Sequence, residues 1–223
     1  MGKILAVGDI HTKIWIIEEI EKLVDKYDHV VFCGDYADNW NTGPVQTILT
    51  WRALKDLYDN NPNVGAVIGN HDYAYIHPEI AGQSSGWNAM TFTLLNAPEN
   101  KDLKDWLLSL PVVLELEGIT FSHAGVTEDW NGGFEVRDLW DDPSPIWARP
   151  LGWGGRARYK EIPQVIGHNP HETITQLQKG VWCIDTFSET PHNKPIGDHT
   201  ILEINNGKYE KIQIKNNSGS SGI

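Results

Sequence analysis

Residues 29–35, HVVFCGD, decide how the fold is read. An unbroken apolar run from Val30 to Cys33 stops on Gly34 and Asp35, and Asp38 follows in the next turn. A short apolar run bounded by glycine reads as a strand covered on both faces. Carboxylates at its end bring charge to a buried rim, which is costly unless something offsets it.

The pattern recurs on both sides. KILAVGD (3–9) comes before it and VGAVIGN (64–70) after it, each an apolar run ending on glycine and a polar residue. TKIWIIEEIEKLVDKY (12–27) and GPVQTILTWRALKDLYD (43–59) have helical spacing and fall between them. Such alternation predicts parallel strands joined by crossover helices. The carboxyl ends of parallel strands share one edge, where ligands bind, so Asp9, Asp35 and Asn70 are expected as neighbours.

Further along, WNAMTFTLLN (87–96) and KDLKDWLLSLP (101–111) read as helices, the second stopped by Pro111. VVLELEGITFSHAG (112–125) reads as two strands around a Glu117-Gly118 turn. PQVIGH (163–168) and VWCIDT (181–186) read as strands, with ETITQLQ (172–178) as a short helix between them. Asn206-Gly207 inside HTILEINNGKYEKIQI (199–214) marks a hairpin. With no internal repeat and no clear linker, one two-sheet α/β domain over residues 1–215 is expected. The tail NNSGSSGI (216–223) reads as a flexible linker or cloning remnant.

Composition narrows the classes of function. The chain has 223 residues, 40% hydrophobic and 22% charged, and a formal charge of −12, which argues against extended binding to nucleic-acid phosphates. No apolar stretch approaches the roughly 20 residues that span a bilayer, and no signal-peptide pattern precedes KILAVGD, so a cytoplasmic protein without membrane contact is expected. Cys33 and Cys183 both sit in apolar runs and read as free, buried thiols.

Five segments end a strand-like run on a side chain able to hold a metal: Asp9 and His11 in GDIH, Asp35 in GDYAD, Asn70 in GNHD, His123 in SHAG and His168 in GHNP. One strand-end Asp is commonly a helix cap, and one His is commonly a hydrogen-bonded structural residue. Five in the same context favour a metal site. Oxygen and imidazole donors without thiolate suit Mn, Fe, Zn, Ni or Co. A carboxylate between two sets of such donors could bridge two cations ~3.5–4 Å apart.

The ordered series GDIH, GDYAD, GNHD, SHAG, GHNP, spanning residues 8–170, resembles the calcineurin-like metallophosphoesterases. The resemblance implies a four-layer α/β/β/α sandwich of two mixed sheets with two divalent ions, Mn2+ being the first expectation. It implies that Asp9, His11 and Asp35 hold one ion, and that Asp35, Asn70, His123 and His168 hold the other. It also implies hydrolysis of a phosphoester by water activated between the ions. His71 would then be the general acid and Asp38 its orienting partner, although a turn or cap is the ordinary use of an Asp at position 38. Asp72 would support the site from behind.

Two departures bear on the branch. Pro170 stands where phosphodiesterase branches carry a second histidine, so the series looks more like the phosphoprotein-phosphatase branch, which includes phage and bacterial phosphatases and symmetrical dinucleoside-polyphosphate hydrolases. That branch usually follows the second Asp with Arg-Gly, whereas this chain has Asn39 and Trp40. Arg149, Arg156 and Arg158 are candidate replacements, with Arg149 first because WARP resembles a Trp-x-Arg segment of related enzymes. Trp130, Trp140, Trp147 and Trp153 are expected to give the 126–160 region a small core of its own rather than a stacking site. The expected activity is phosphomonoester hydrolysis. Its alternatives are hydrolysis of a dinucleoside polyphosphate or other nucleotide, and a catalytically degenerate interaction scaffold. The partner is accordingly a phosphopeptide or a small phosphorylated molecule.

Overall fold

The computed structural model describes residues 2–81, 85–131, 142–150 and 155–216. In chain order the elements are β1 (Ile4–Val7), α1 (Ile14–Glu21), β2 (His29–Phe32), α2 (Pro44–Asn60), β3 (Val64–Ala66), α3 (Asn70–Ile76), α4 (Pro78–Ala81), α5 (Ala89–Leu95) and α6 (Lys101–Ser109). Then come β4 (Val113–Leu116), β5 (Ile119–Ser122), α7 (Ser144–Trp147), β6 (Gln164–Ile166), β7 (Thr175–Gln178), β8 (Val181–Cys183), β9 (Thr200–Asn205) and β10 (Lys208–Gln213).

Two five-stranded mixed sheets form, in the orders β10-β9-β1-β2-β3 and β4-β5-β6-β8-β7. In the first sheet β1, β2 and β3 are parallel, as the crossover helices require, and β9 pairs antiparallel to β1. In the second sheet β5, β6 and β8 are parallel, flanked by antiparallel β4 and β7. The carboxyl ends of β1, β2 and β3 thus share one edge, and those of β5, β6 and β8 share another.

Strand alternation divides the core. Ile4, Ala6, Val31 and Cys33 point from the first sheet toward Phe121, Val165 and Ile184 of the second, making a dry layer between the sheets. Leu5, Val7, Val30 and Phe32 point the other way, under Ile16, Ile20, Trp51 and Leu54 of α1 and α2. Burial of one such large apolar side chain is worth about 2–3 kcal/mol. On the outer face of the second sheet, Ile166, Val181 and Cys183 meet Ala148 and Tyr159. The layers are therefore helices, sheet, sheet and an outer cover.

Three readings of the sequence are revised. ETITQLQ is the edge strand β7, not a helix. Gly180, at φ 85°, closes a hairpin onto β8, and β-branched Thr173, Ile174 and Thr175 suit the extended chain. The helix expected through Tyr27 ends at Glu21, and a 3-10 turn over Val24–Lys26 follows. Trp130 is buried in the large helix-side core and Trp147 packs against it, so these two do not form a separate cluster. Trp140 and Trp153 lie outside the described residues.

Candidate metal centre

The two sheet edges meet at one cleft. The loop after β1 carries Asp9 and His11, the turn after β2 carries Asp35 and Asp38, and the start of α3 carries Asn70 and His71. His123 follows β5 and His168 follows β6, so the second sheet supplies the remaining donors. Close backbone approach makes this possible. A Cβ on Gly167 would lie 1.9 Å from Asp9 Oδ1, and one on Gly69 would lie 2.2 Å from Asp35 Oδ1. His11, Asp35, Asp38 and His168 all adopt left-handed backbone, with φ of 41°, 54°, 57° and 69°. Each costs roughly 1–2 kcal/mol relative to ordinary geometry, a strain that collects at functional sites.

Gly167→Ala tests this crowding. The added methyl must push Asp9 away, so cation affinity at the Asp9 side should fall by at least ~10-fold, read by calorimetric titration with Mn2+. Unchanged affinity would mean that Asp9 holds no cation.

Six expected ligands converge as two groups. Ligand atoms of Asp9, His11 and Asp35 lie within 4.8 Å of one another, and so do those of Asp35, His123 and His168. Asp35 belongs to both. Asn70 joins the second group, its Oδ1 being 2.9 Å from His123 Nε2. The same Nε2 is 3.2 Å from Asp35 Oδ2 and 3.1 Å from His168 Nδ1.

Hydrogen bonds to the backbone aim the imidazoles. His123 Nδ1 lies 2.9 Å from the Cys33 carbonyl, which only accepts, so Nδ1 donates and the Nε2 lone pair is left facing the cluster. His11 Nδ1 donates in the same way to the Asp38 carbonyl at 2.8 Å. His168 N donates to both Asp9 oxygens, at 3.1 and 3.0 Å. An added proton or a cation is what such a meeting of lone pairs needs, and this donor set suits a borderline divalent metal.

The electrostatics carry the same demand. Burial pushes the Asp9 carboxyl well up, and nearby Asp185 and Asp35 push it further. Burial also raises Asp35, but His123 and His71 more than offset it and hold that carboxyl far below the usual range. Desolvation brings His11 down to about 4 and takes His168 well below 6.5, so both imidazoles are neutral and able to ligate near pH 7.

Beside these donors stands a hydrogen-bonded chain. Tyr75 Oη donates to Asp38 Oδ1 at 2.6 Å, and Asp38 Oδ2 lies 2.9 Å from His71 Nδ1. His71 Nε2 is left 4.0 Å from Asp35 Oδ2, on the ligand side. Burial pulls the His71 imidazole down, but Asp35 and Asp38 outweigh it and raise it to about 9. Asp72 is buried beneath, accepting from the backbone N–H of Ala37 at 3.0 Å and from Trp51 Nε1 at 2.8 Å. It fixes the turn that carries Asp38.

Arg149 lines the same cleft and donates to Asn169 Oδ1 at 3.3 Å. The cleft also gathers Asn39 and Trp40, which stand where the resembled branch carries Arg-Gly, and residues not singled out from the sequence: Asp185, Ser188 and Glu189. Asp185 ends β8 as Asp9 ends β1. Desolvation raises its carboxyl to about 6, and its Oδ1 accepts from Ser188 Oγ at 2.7 Å. An apolar strand closing on Asp was the visible signal, without the flanking glycine of the other segments. Glu189 carries no local signal, since it meets Trp40 only because the chain returns.

The sequence profile of the family described as calcineurin-like phosphoesterase matches residues 2–210, and the chain belongs to that family, whose members are hydrolases that use divalent metals. It is 23% identical over 82% of its length to a symmetrical bis(5'-nucleosyl)-tetraphosphatase of Vibrio campbellii, covering 65% of that protein. It is 30% identical over 57% of its length to one of Chromobacterium violaceum, covering 44%. The chain thus spans less than two thirds of either relative. Among solved structures, a cold-active protein-tyrosine phosphatase of a psychrophilic Shewanella has the same fold, with TM-score 0.61, 17% identity and coverage of 96% of this chain and 81% of the other.

Proposed function

We propose that the chain hydrolyses a nucleotide polyphosphate with the help of two divalent cations such as Mn2+, which would share Asp35 as a ligand. The observation that carries the chemistry is the sharing of Asp35 between two groups of ligand atoms, with the Asp38–His71 pair alongside. The choice of substrate is supported by the tetraphosphatase relatives. Cations held there supply Lewis acidity, lowering the pKa of water and offsetting charge on phosphoryl oxygens.

The chain's own groups do the rest. Asp9, His11 and Asp35 would hold one cation, and Asp35, Asn70, His123 and His168 the other. Asp38 accepts the Nδ1 proton of His71, which keeps a second proton on Nε2 facing the cleft. When the bond from phosphorus to the leaving oxygen breaks, that Nε2 proton goes to the leaving oxygen. Tyr75 holds Asp38, and Asp72 holds the turn. Arg149 offers its guanidinium to the phosphoryl oxygens, the function of the arginine that Asn39 and Trp40 displace.

Phosphomonoester hydrolysis would use the same groups, so the substrate itself is the test. Mn2+-loaded protein is assayed on a dinucleoside tetraphosphate, a phosphotyrosine peptide, a phosphoserine peptide and an aryl phosphate. The dinucleotide is expected to have at least ~10-fold the highest kcat/KM of the others, with nucleoside diphosphate as the product. A phosphopeptide in first rank transfers the proposal to a protein phosphatase. Bound metal with no turnover of any of the four overturns enzymatic function and leaves a scaffold.

A further inference from the structure

We propose that Trp40 is the floor of a nucleobase subsite at the rim of the metal cleft, a proposal that rests on the nucleotide reading above. Trp40 lines the cleft together with His11, His71 and Arg149, yet the residue is 48% exposed. Among the described residues no aromatic ring packs against it.

The exposed ring is held in place. Its Nε1–H donates to the Glu189 carbonyl at 2.9 Å, and its backbone N–H donates to Asn39 Oδ1 at 2.8 Å. Asn39 Nδ2 donates to Glu189 Oε2 at 3.1 Å, while Lys13 Nζ lies 3.6 Å from Glu189 Oε1. Asn41 is tied to Asn193, on the same returning segment as Glu189. The indole's one polar atom is therefore used within the protein, and its apolar faces are what the rim presents. A rigid, pre-positioned aromatic loses little freedom when a planar group lies on it.

Size decides what part of a substrate reaches it. The cleft holds about 160 Å³. A cavity of ~150 Å³ accepts a molecule the size of benzene, and pockets that enclose whole ligands run to ~300–1,000 Å³. Phosphoryl groups fit such a space, and a nucleoside attached to them would extend toward the rim where Trp40 stands. The Glu189 carboxylate there is offset by Lys13 and Asn39, which limits its repulsion of a polyphosphate. Stacking also fits a substrate whose base is not read edge by edge, because every base has a π face.

The test separates ring from phosphate. Calorimetry with Mn2+-loaded wild type, Trp40→Ala and Trp40→Phe compares Kd for a methylene-bridged, non-hydrolysable dinucleoside tetraphosphate with Kd for inorganic tripolyphosphate. In Trp40→Ala the preference for the dinucleotide over tripolyphosphate should shrink roughly 5- to 100-fold, and Trp40→Phe should recover most of it. Adenine and guanine analogues should lose alike. A preference unchanged in Trp40→Ala, or lost equally in Trp40→Phe, overturns the subsite while turnover of the dinucleotide by wild type keeps the nucleotide reading intact. Wild type that neither binds nor cleaves the dinucleotide overturns both. A loss confined to phosphotyrosine peptides would reassign the ring to a peptide.

Discussion

Asp35→Ala is expected to retain at most one cation and to lower turnover by at least ~10³-fold. A cation pair at a phosphoryl centre contributes several kcal/mol of transition-state stabilisation, and each 1.36 kcal/mol is tenfold in rate. Asp35 is the one side chain common to both groups of ligand atoms, so its loss cannot be confined to one of them. Its Oδ1 also accepts from the backbone N–H of His71 at 2.9 Å, which couples the ligand to the start of α3. Elemental analysis of the purified variant, with calorimetric titration by Mn2+, gives the stoichiometry directly. Two tightly bound ions in Asp35→Ala would end the bridging assignment.

His71→Gln should behave differently, keeping its metal and losing rate according to the leaving group. An alkoxide needs a proton as it departs, so kcat on an alkyl phosphate should fall about 10²- to 10³-fold. A nucleoside diphosphate leaves as a stable anion, so the loss on a dinucleoside tetraphosphate should be much smaller. Equal losses on both substrates would point to a role in binding rather than proton delivery.

The same pair has a signature without metal. The folded value of His71, about 9, lies above its ordinary 6.5, so its stabilising contribution is complete below pH 6.5 and is lost as the pH rises through about 9. In chelator, urea denaturation of wild type should lose roughly 2–3 kcal/mol more between pH 6 and 9.5 than His71→Gln does. Parallel slopes would mean that His71 does not hold its proton against Asp35 and Asp38 in solution.

Much of the candidate site's convergence was legible because the signal is local. Asp9, Asp35 and Asn70 each end an apolar run at a glycine, and parallel topology gathers such ends without any knowledge of packing. His123 and His168 sit likewise on the second sheet, and their meeting with the first three needed only that the sheets face each other. The short edge strand was misread because Thr175–Gln178 has too few residues to establish a period, and its pairing with β8 decided the matter. The rim was illegible for another reason. Trp40 and Glu189 are brought together by a hydrogen bond across 149 residues, and neither residue type announces a partner.

The contact between Asp9 and the His168 backbone joins the end of β1 to the end of β6, 159 residues apart and in different sheets. His123 reaches the Cys33 carbonyl across the same seam. The proposed second set of ligands draws Asp35 and Asn70 from the first sheet and His123 and His168 from the second, so an ion would be held by all four only after both sheets have docked. Captured ions would in turn reward the docked state by mass action, tightening with each rise in free concentration. The proposed metal centre would thereby also be a clasp, and the seam it fastens the first to part when the ions are withdrawn.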